Sequence, residues 1–295
     1  MTLAEFVYTV VLAPRPLKRA ANWLLLKIIP KRIKVGPAEV CLDPADPVIS
    51  GAVTFGVYEK DELKFFQEHC VPGMVVVDIG ANVGIYTALA LQLTSPNGIV
   101  VSVEPNPHSR GFLEQTIACN LDASDASRTR SYVCDCAASD RDGDATLHLN
   151  LGNKGDNRLY ASSLSSMEIP IKVRPLDAIL SGLGIHEVNL VKIDVQGCEP
   201  MVIAGGLETI RRSPDMLIVS EFWPEGMKSA GRDAKEYLHQ LSSLGLELFT
   251  LDAGALNPLA KDGFSKLIAS LPNRQYTNIV AAKGKPLARI SGTGS

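Results

Sequence analysis

The sequence predicts an α/β fold, a doubly wound and mostly parallel sheet with an antiparallel strand pair at one edge. Three observations predict it. Apolar strand-like runs alternate with helical segments through most of the 295 residues. The stretch from Val75 to Tyr86 reads as strand, glycine turn and helix. Acidic residues, Asp78, Glu104, Asp135, Asp194 and Glu221, stand at or near the ends of core strands. Ligands of open α/β sheets bind at those carboxyl ends, and folding alone gives no reason for acids to gather there.

Composition narrows the class. A hydrophobic share of 46% and a charged share of 21% are those of a soluble globular chain. The net charge of -3 gives no sign of a nucleic-acid partner. Cys41, Cys70, Cys119, Cys134, Cys136 and Cys198 contain no C-x-x-C pair and sit mostly in apolar runs. They read as free thiols in a reducing, cytoplasmic setting. No stretch approaches the length of a membrane span, and Glu5 and Arg15-Pro16 around the first apolar run do not make a secretory leader.

The expected organisation is an arm with short strands over 1–48, a main domain over 49–285 and a disordered tail over 286–295. The arm carries Arg15, Lys18, Arg19, Lys27, Lys31, Arg32 and Lys34 against the single acid Glu5. It reads as a helix packed on the core or on a second subunit, which would make a homo-oligomer. It also reads as a basic helix lying on an anionic membrane surface, a peripheral contact. Two short strands follow around Gly36-Pro37, and Lys60 to Glu68 is an amphipathic helix.

Val75-Val76-Val77 is a poor helix start and a good buried strand. Gly80 permits a backbone angle the turn needs, or lets a ligand approach bare backbone. Asn82 tolerates the left-handed region, and Gly84 lets the helix from Ile85 to Leu93 pack closely. The N-terminus of that helix offers free N–H groups. The second strand, Ile99 to Val103, is closed by Glu104, whose carboxylate is placed to accept hydrogen bonds from a ribose. Asp78, just before the first glycine, would repel a pyrophosphate and attract an ammonium. The turn therefore argues for S-adenosylmethionine over NAD.

Beyond Pro105-Asn106-Pro107, a helix over Arg110 to Asn120 and a strand over Thr129 to Cys134 lead to Asp135, near the place of a cofactor's adenine. Ala145 to Leu149 and Ile169 to Arg174 read as added strands, with a mobile polar loop from Gly152 to Ser166 between them. Val188 to Asp194 is the fourth core strand, followed by one helix from Pro200 to Arg211. Met216 to Val219 is the fifth, and a helix runs from Asp233 to Leu244. Leu246 to Asp252 and Asn278 to Lys283 close the sheet, with loop and no helix between them.

Several of these stretches together resemble the FkbM-type methyltransferases. They are Gly56-Val57-Tyr58-Glu59, Asp78-Ile79-Gly80-Ala81-Asn82-Val83-Gly84-Ile85-Tyr86-Thr87 and Val103-Glu104-Pro105-Asn106-Pro107, then Ala137-Ala138-Ser139-Asp140, Leu176-Asp177 and Lys192-Ile193-Asp194-Val195-Gln196-Gly197-Cys198-Glu199. The resemblance implies a seven-stranded class I methyltransferase (Rossmann-like) sheet. It also implies methylation dependent on S-adenosylmethionine, often of a hydroxyl on a sugar, glycan or natural product. It carries cofactor contact to Asp78, Gly80, Asn82, Gly84, Glu104 and Asn106, and less directly to Tyr58 and Glu59. Gln196 departs from the family's usual Asp-x-Glu-Gly and removes one carboxylate.

Methyl transfer to a hydroxyl needs alignment, exclusion of water and removal of a proton. Asp194 and Glu199 are the candidate catalytic carboxylates. Glu199 equally suits the start of the helix at Pro200, where it would complement the dipole. His108 and His148 are weaker candidates. No metal site is expected, because Gln196 weakens the cluster of Asp194, Glu199 and Glu221. The rival readings are an N-methyltransferase and a cofactor-binding accessory protein without transferase activity.

Overall fold

The computed structural model describes residues 28–121, 129–150, 152–162 and 167–292. Residues 1–27, most of the expected arm, lie outside the described residues. A hairpin of β1 (Arg32–Val35) and β2 (Ala38–Cys41) turns at Gly36. Helices α1 (Ile49–Thr54) and α2 (Lys60–His69) follow. The central unit is β3 (Val75–Ile79), α3 (Ile85–Leu93), β4 (Ile99–Val103), α4 (Pro107–Asn120) and β5 (Arg130–Cys134). A small sheet comes next, from β6 (Cys136–Ser139), β7 (Gly143–Leu149) and β8 (Met167–Pro175). The chain returns through α5 (Leu176–Gly182), β9 (Leu190–Ile193), α6 (Glu199–Ala204), α7 (Leu207–Arg212) and β10 (Met216–Phe222). It ends with α8 (Pro224–Ser229), α9 (Ala234–Ser243), β11 (Glu247–Asp252), β12 (Ala255–Pro258), α10 (Phe264–Ser270), β13 (Thr277–Lys283) and α11 (Lys285–Ile290).

The large sheet runs β12-β11-β13-β10-β9-β3-β4-β5. Its five strands from β10 to β5 are parallel, and β13 inserts antiparallel between β10 and β11. Successive residues of the parallel strands feed opposite layers, as the two-residue period requires. Val77, Val101 and Val191 pack with α5, α7 and α9 on one face. Val76, Val100 and Leu190 pack with α2, α3 and the β1–β2 hairpin on the other. Burial on both faces is why these strands read as unbroken apolar runs.

The fold class expected from the sequence is the one found, with four local corrections. The sheet has eight strands, because β12 pairs with β11 beyond the expected edge. A helix, α10, lies between the last strands where loop was expected. The helix from Pro200 to Arg211 is broken at Gly205, where a Cβ would collide with the carbonyl oxygen of Ser139. The tail expected to be disordered from 286 instead carries α11, whose first turn is held by Lys285 N–H on Asp215 Oδ1 at 2.9 Å.

Candidate active site

A cleft of about 330 Å³ opens at the carboxyl ends of the parallel strands. The turn after β3 forms its floor, with Gly80 at φ +81° and Asn82 at φ +50°. Both angles are left-handed, which explains glycine and asparagine there. Gly80 has a second reason: a Cβ would strike the backbone carbonyl of Asp194, so the β3 and β9 ends touch through bare backbone. Gly84, at φ +89°, serves α4 rather than a ligand. A Cβ there would lie 2.7 Å from Leu113 Cδ1.

Glu104 is 6% exposed at the end of β4 and lines the cleft. Its Oε2 accepts from Asn82 N–H at 2.9 Å and its Oε1 from Asn106 N–H at 2.8 Å. Burial pushes its carboxyl up to about 7 against those two backbone donors. Asn106 does not line the cleft. It caps α4 by accepting from His108 N–H and fixes Glu104 from behind. Asp78 lines the cleft and accepts from Thr87 Oγ1 at 2.6 Å, and burial raises it to about 6.

Four carboxylates, Glu59, Asp78, Asp194 and Glu221, surround one ammonium, Lys192, which is 1% exposed on β9. Burial alone would depress the Lys192 ammonium, but the four acids raise it instead. Its Nζ lies 5.1 Å from the centroid of the Tyr86 ring, and Tyr86 OH donates to Glu59 Oε2 at 2.6 Å. Burial, then the charges of Asp194 and Glu199, hold Glu221 well above the usual carboxylate range. The Gln196 amide donates to Asp194 Oδ1 and Glu221 Oε2, both at 2.7 Å. The residue that departs from the family pattern therefore bridges two carboxylates, where a third acid would have repelled both.

Of the site residues expected from sequence, Tyr58, Glu59, Asp78, Gly80, Asn82, Glu104 and Asp194 line this one cleft. Asp135 and Glu199 do not. Asp135 is exposed where the chain leaves β5 for β6, a sheet change that turns it to solvent. Glu199 is 1% exposed beneath the turn after β9. Its Oε1 accepts from Val195 N–H at 3.2 Å and Gly197 N–H at 3.1 Å, so it braces that turn. Burial raises it to about 7. His108 and His148 also lie outside the lining, and His108 Nε2 meets Asp43 Oδ2 at 2.7 Å.

Sequence reading missed part of the wall. The segment expected to be a mobile loop contributes Asn153 to Leu159, and Trp223, Arg274 and Tyr276 complete the rim. Lys192 carried a signal: a lysine inside an otherwise apolar core strand is rare without paired acids. Arg158 and Trp223 carried none, because only the tertiary fold brings them together.

Residues 78–245 match the family model described as methyltransferase FkbM domain. The chain belongs to that family. Its curated relatives include the 2-O-methyltransferase NoeI of Sinorhizobium fredii, 30% identical over 48% of this chain and 61% of the relative. They also include the AMB antimetabolite synthetase AmbE of Pseudomonas aeruginosa, 27% identical over 45% of this chain and 8% of the relative. The chain thus matches less than two thirds of the length of either. Among solved structures, methyltransferase FkbM from Methylobacillus flagellatus aligns at 14% identity with a TM-score of 0.44, over 90% of this chain and 60% of that one.

The family's methyl donor is S-adenosylmethionine, and the cleft suits it chemically. The floor is bare glycine backbone, Glu104 presents its carboxyl at the cleft wall, and the acids around Lys192 outnumber the cation. A donor molecule with an ammonium, a sulfonium and a carboxylate carries one net positive charge, which would offset part of that excess.

Proposed function

We propose that the protein is an S-adenosylmethionine-dependent O-methyltransferase acting on a hydroxyl of a sugar, glycan or other small natural-product acceptor. The donor supplies an electrophilic methyl group on a sulfonium. The chain's own residues bind, orient and take up the proton. Glu104, with Gly80 and Asn82, holds the nucleoside side. Asp78 and Glu59 hold the cationic side. Tyr58, Trp223 and Tyr276 help wall the cleft and limit water.

The observation that carries the hydroxyl reading is Asp194. It is half-buried at the end of β9, lines the cleft, and accepts from the Gln196 amide on Oδ1. A carboxylate so placed is suited to accept the proton of an attacking hydroxyl. An amine acceptor that binds already deprotonated would need no such base. The name of NoeI, a 2-O-methyltransferase, agrees with oxygen as the acceptor atom.

The test is transfer of labelled methyl from S-adenosylmethionine to a panel of hydroxyl-bearing sugars and natural products, with wild type and Asp194→Asn side by side. Wild-type transfer is expected, with the variant roughly 10²–10⁴-fold slower at unchanged cofactor affinity. Transfer confined to amines, or full turnover by the variant, would contradict the reading.

A further inference from the structure

Arg158 is 7% exposed yet lines the cleft. Its Nε donates to Asp156 Oδ1 at 2.6 Å, and Asp156 is itself 5% exposed. The other oxygen of Asp156 accepts from Asn150 Nδ2 at 3.1 Å and Arg274 Nη2 at 3.4 Å. The carboxylate is thus fully occupied, and two guanidinium groups share one negative charge. Among the described residues nothing accepts from Nη1 or Nη2 of Arg158.

The guanidinium is also held rigid. Its Cζ lies 4.8 Å from the centroid of a Trp223 ring and 5.5 Å from that of Tyr160. Trp223 Nε1–H is fixed on Asn273 O at 2.8 Å, and Tyr160 OH donates to the Gln196 carbonyl at 3.1 Å. With the Nε edge taken by Asp156 and rings beside it, the Nη edge is what remains to meet a ligand.

Its place in the cleft is the side away from the nucleoside. Trp223 follows β10 and Gln196 follows β9, whereas Glu104 ends β4. The order β10-β9-β3-β4 puts three strand spacings, roughly 14 Å, between the Arg158 end and Glu104. Asp194 lies between them, at the end of β9.

We propose that Arg158, supported by Arg274 at the rim, is an oxyanion receptor for the acceptor, so that the molecule to be methylated carries a carboxylate or phosphate beside its reactive hydroxyl. A preorganised guanidinium fork matches either group in two-point fashion. This rests on the transferase reading above and deepens it.

The experiment is ligand-observed NMR and calorimetry on the full chain saturated with S-adenosylhomocysteine, titrated with glucuronate, glucose 6-phosphate and glucose. Measuring S-adenosylhomocysteine binding first separates the two ideas, since its absence sinks the cofactor reading and its presence leaves this one to be judged alone. Binding by either acidic sugar and not by glucose is expected, and the preferred sugar distinguishes carboxylate from phosphate. Arg158→Gln should weaken that binding by roughly 10–100-fold, the range for lost charge-assisted hydrogen bonds. Arg158→Lys should restore only part of it. Because Arg158→Gln disturbs the Asp156 contact, the exposed Arg274→Gln serves as a second variant, with several-fold weakening and an unchanged melting temperature. Equal binding of glucose, no binding by either acidic sugar, or full affinity in both glutamine variants would overturn the proposal.

Discussion

Glu199 shows how a residue's chemistry depends on which side of a turn it faces. Its type and place beside Asp194 suit a base, but its carboxylate is spent on two backbone N–H groups under the turn, and its Oε2 has no partner among the described residues. Burial raises it to about 7 from an ordinary value near 4.5. The folded state therefore binds the proton more tightly than the unfolded one. This stability is fully present below about pH 4.5 and is lost as pH rises through 7, by up to roughly 3 kcal/mol. Glu199→Gln keeps an oxygen for both N–H groups and cannot ionise. It should melt higher than wild type at pH 8 and show a flatter stability profile between pH 4.5 and 7, while retaining methyl transfer. Denaturant titrations at several pH values check this, and a large loss of turnover with intact cofactor binding would return Glu199 to the catalytic set. Lys192→Met is a harder lesion, because it strips the one ammonium from four acids. Its loss should destabilise the fold by roughly 3–5 kcal/mol, read by denaturant titration beside wild type.

At the scale of elements, the turn after β3 ties two strand ends together through Gly80 and the Asp194 carbonyl. Gly80→Ala should cost roughly 2–4 kcal/mol, since left-handed strain and a backbone collision add. It should also displace Asp194, so that transfer falls more than stability alone explains. A stable, fully active alanine variant would show that the two ends can separate freely. The parallel strands, the glycine turn after β3 and the strand-end acids Asp78, Glu104, Asp194 and Glu221 were legible because each is a local pattern: three valines, a glycine at fixed spacing, a carboxylate after an apolar run. What escaped was set by long-range contact. The break at Gly205 comes from a carbonyl on β6, the eighth strand from pairing with β11, and the Arg158 wall from rings distant in sequence. The 152–162 segment is a loop, as expected, but its role was hidden for the same reason. Its polarity looked like solvation, whereas its acids and bases bond to one another and line the cleft.

The whole molecule is built so that one sheet presents its binding residues on a single edge. Lining residues run from Val48 to Tyr276, all within the described body. No described helix is long and apolar enough to cross a membrane. Removing residues 1–27 is accordingly expected to leave cofactor affinity unchanged within twofold or so, and flotation with anionic vesicles compares the truncated and full chains for a surface role of that segment. The central claim is that the edge formed by β3 and β4 holds S-adenosylmethionine, with Glu104 at the ribose. Calorimetric titration of wild type and Glu104→Ala with S-adenosylmethionine and with NAD tests it most directly. One-to-one binding of S-adenosylmethionine and none of NAD is expected, with Glu104→Ala weaker by about 1.5–3 kcal/mol. Equal affinity in a folded Glu104→Ala variant, or tighter binding of NAD, would contradict it.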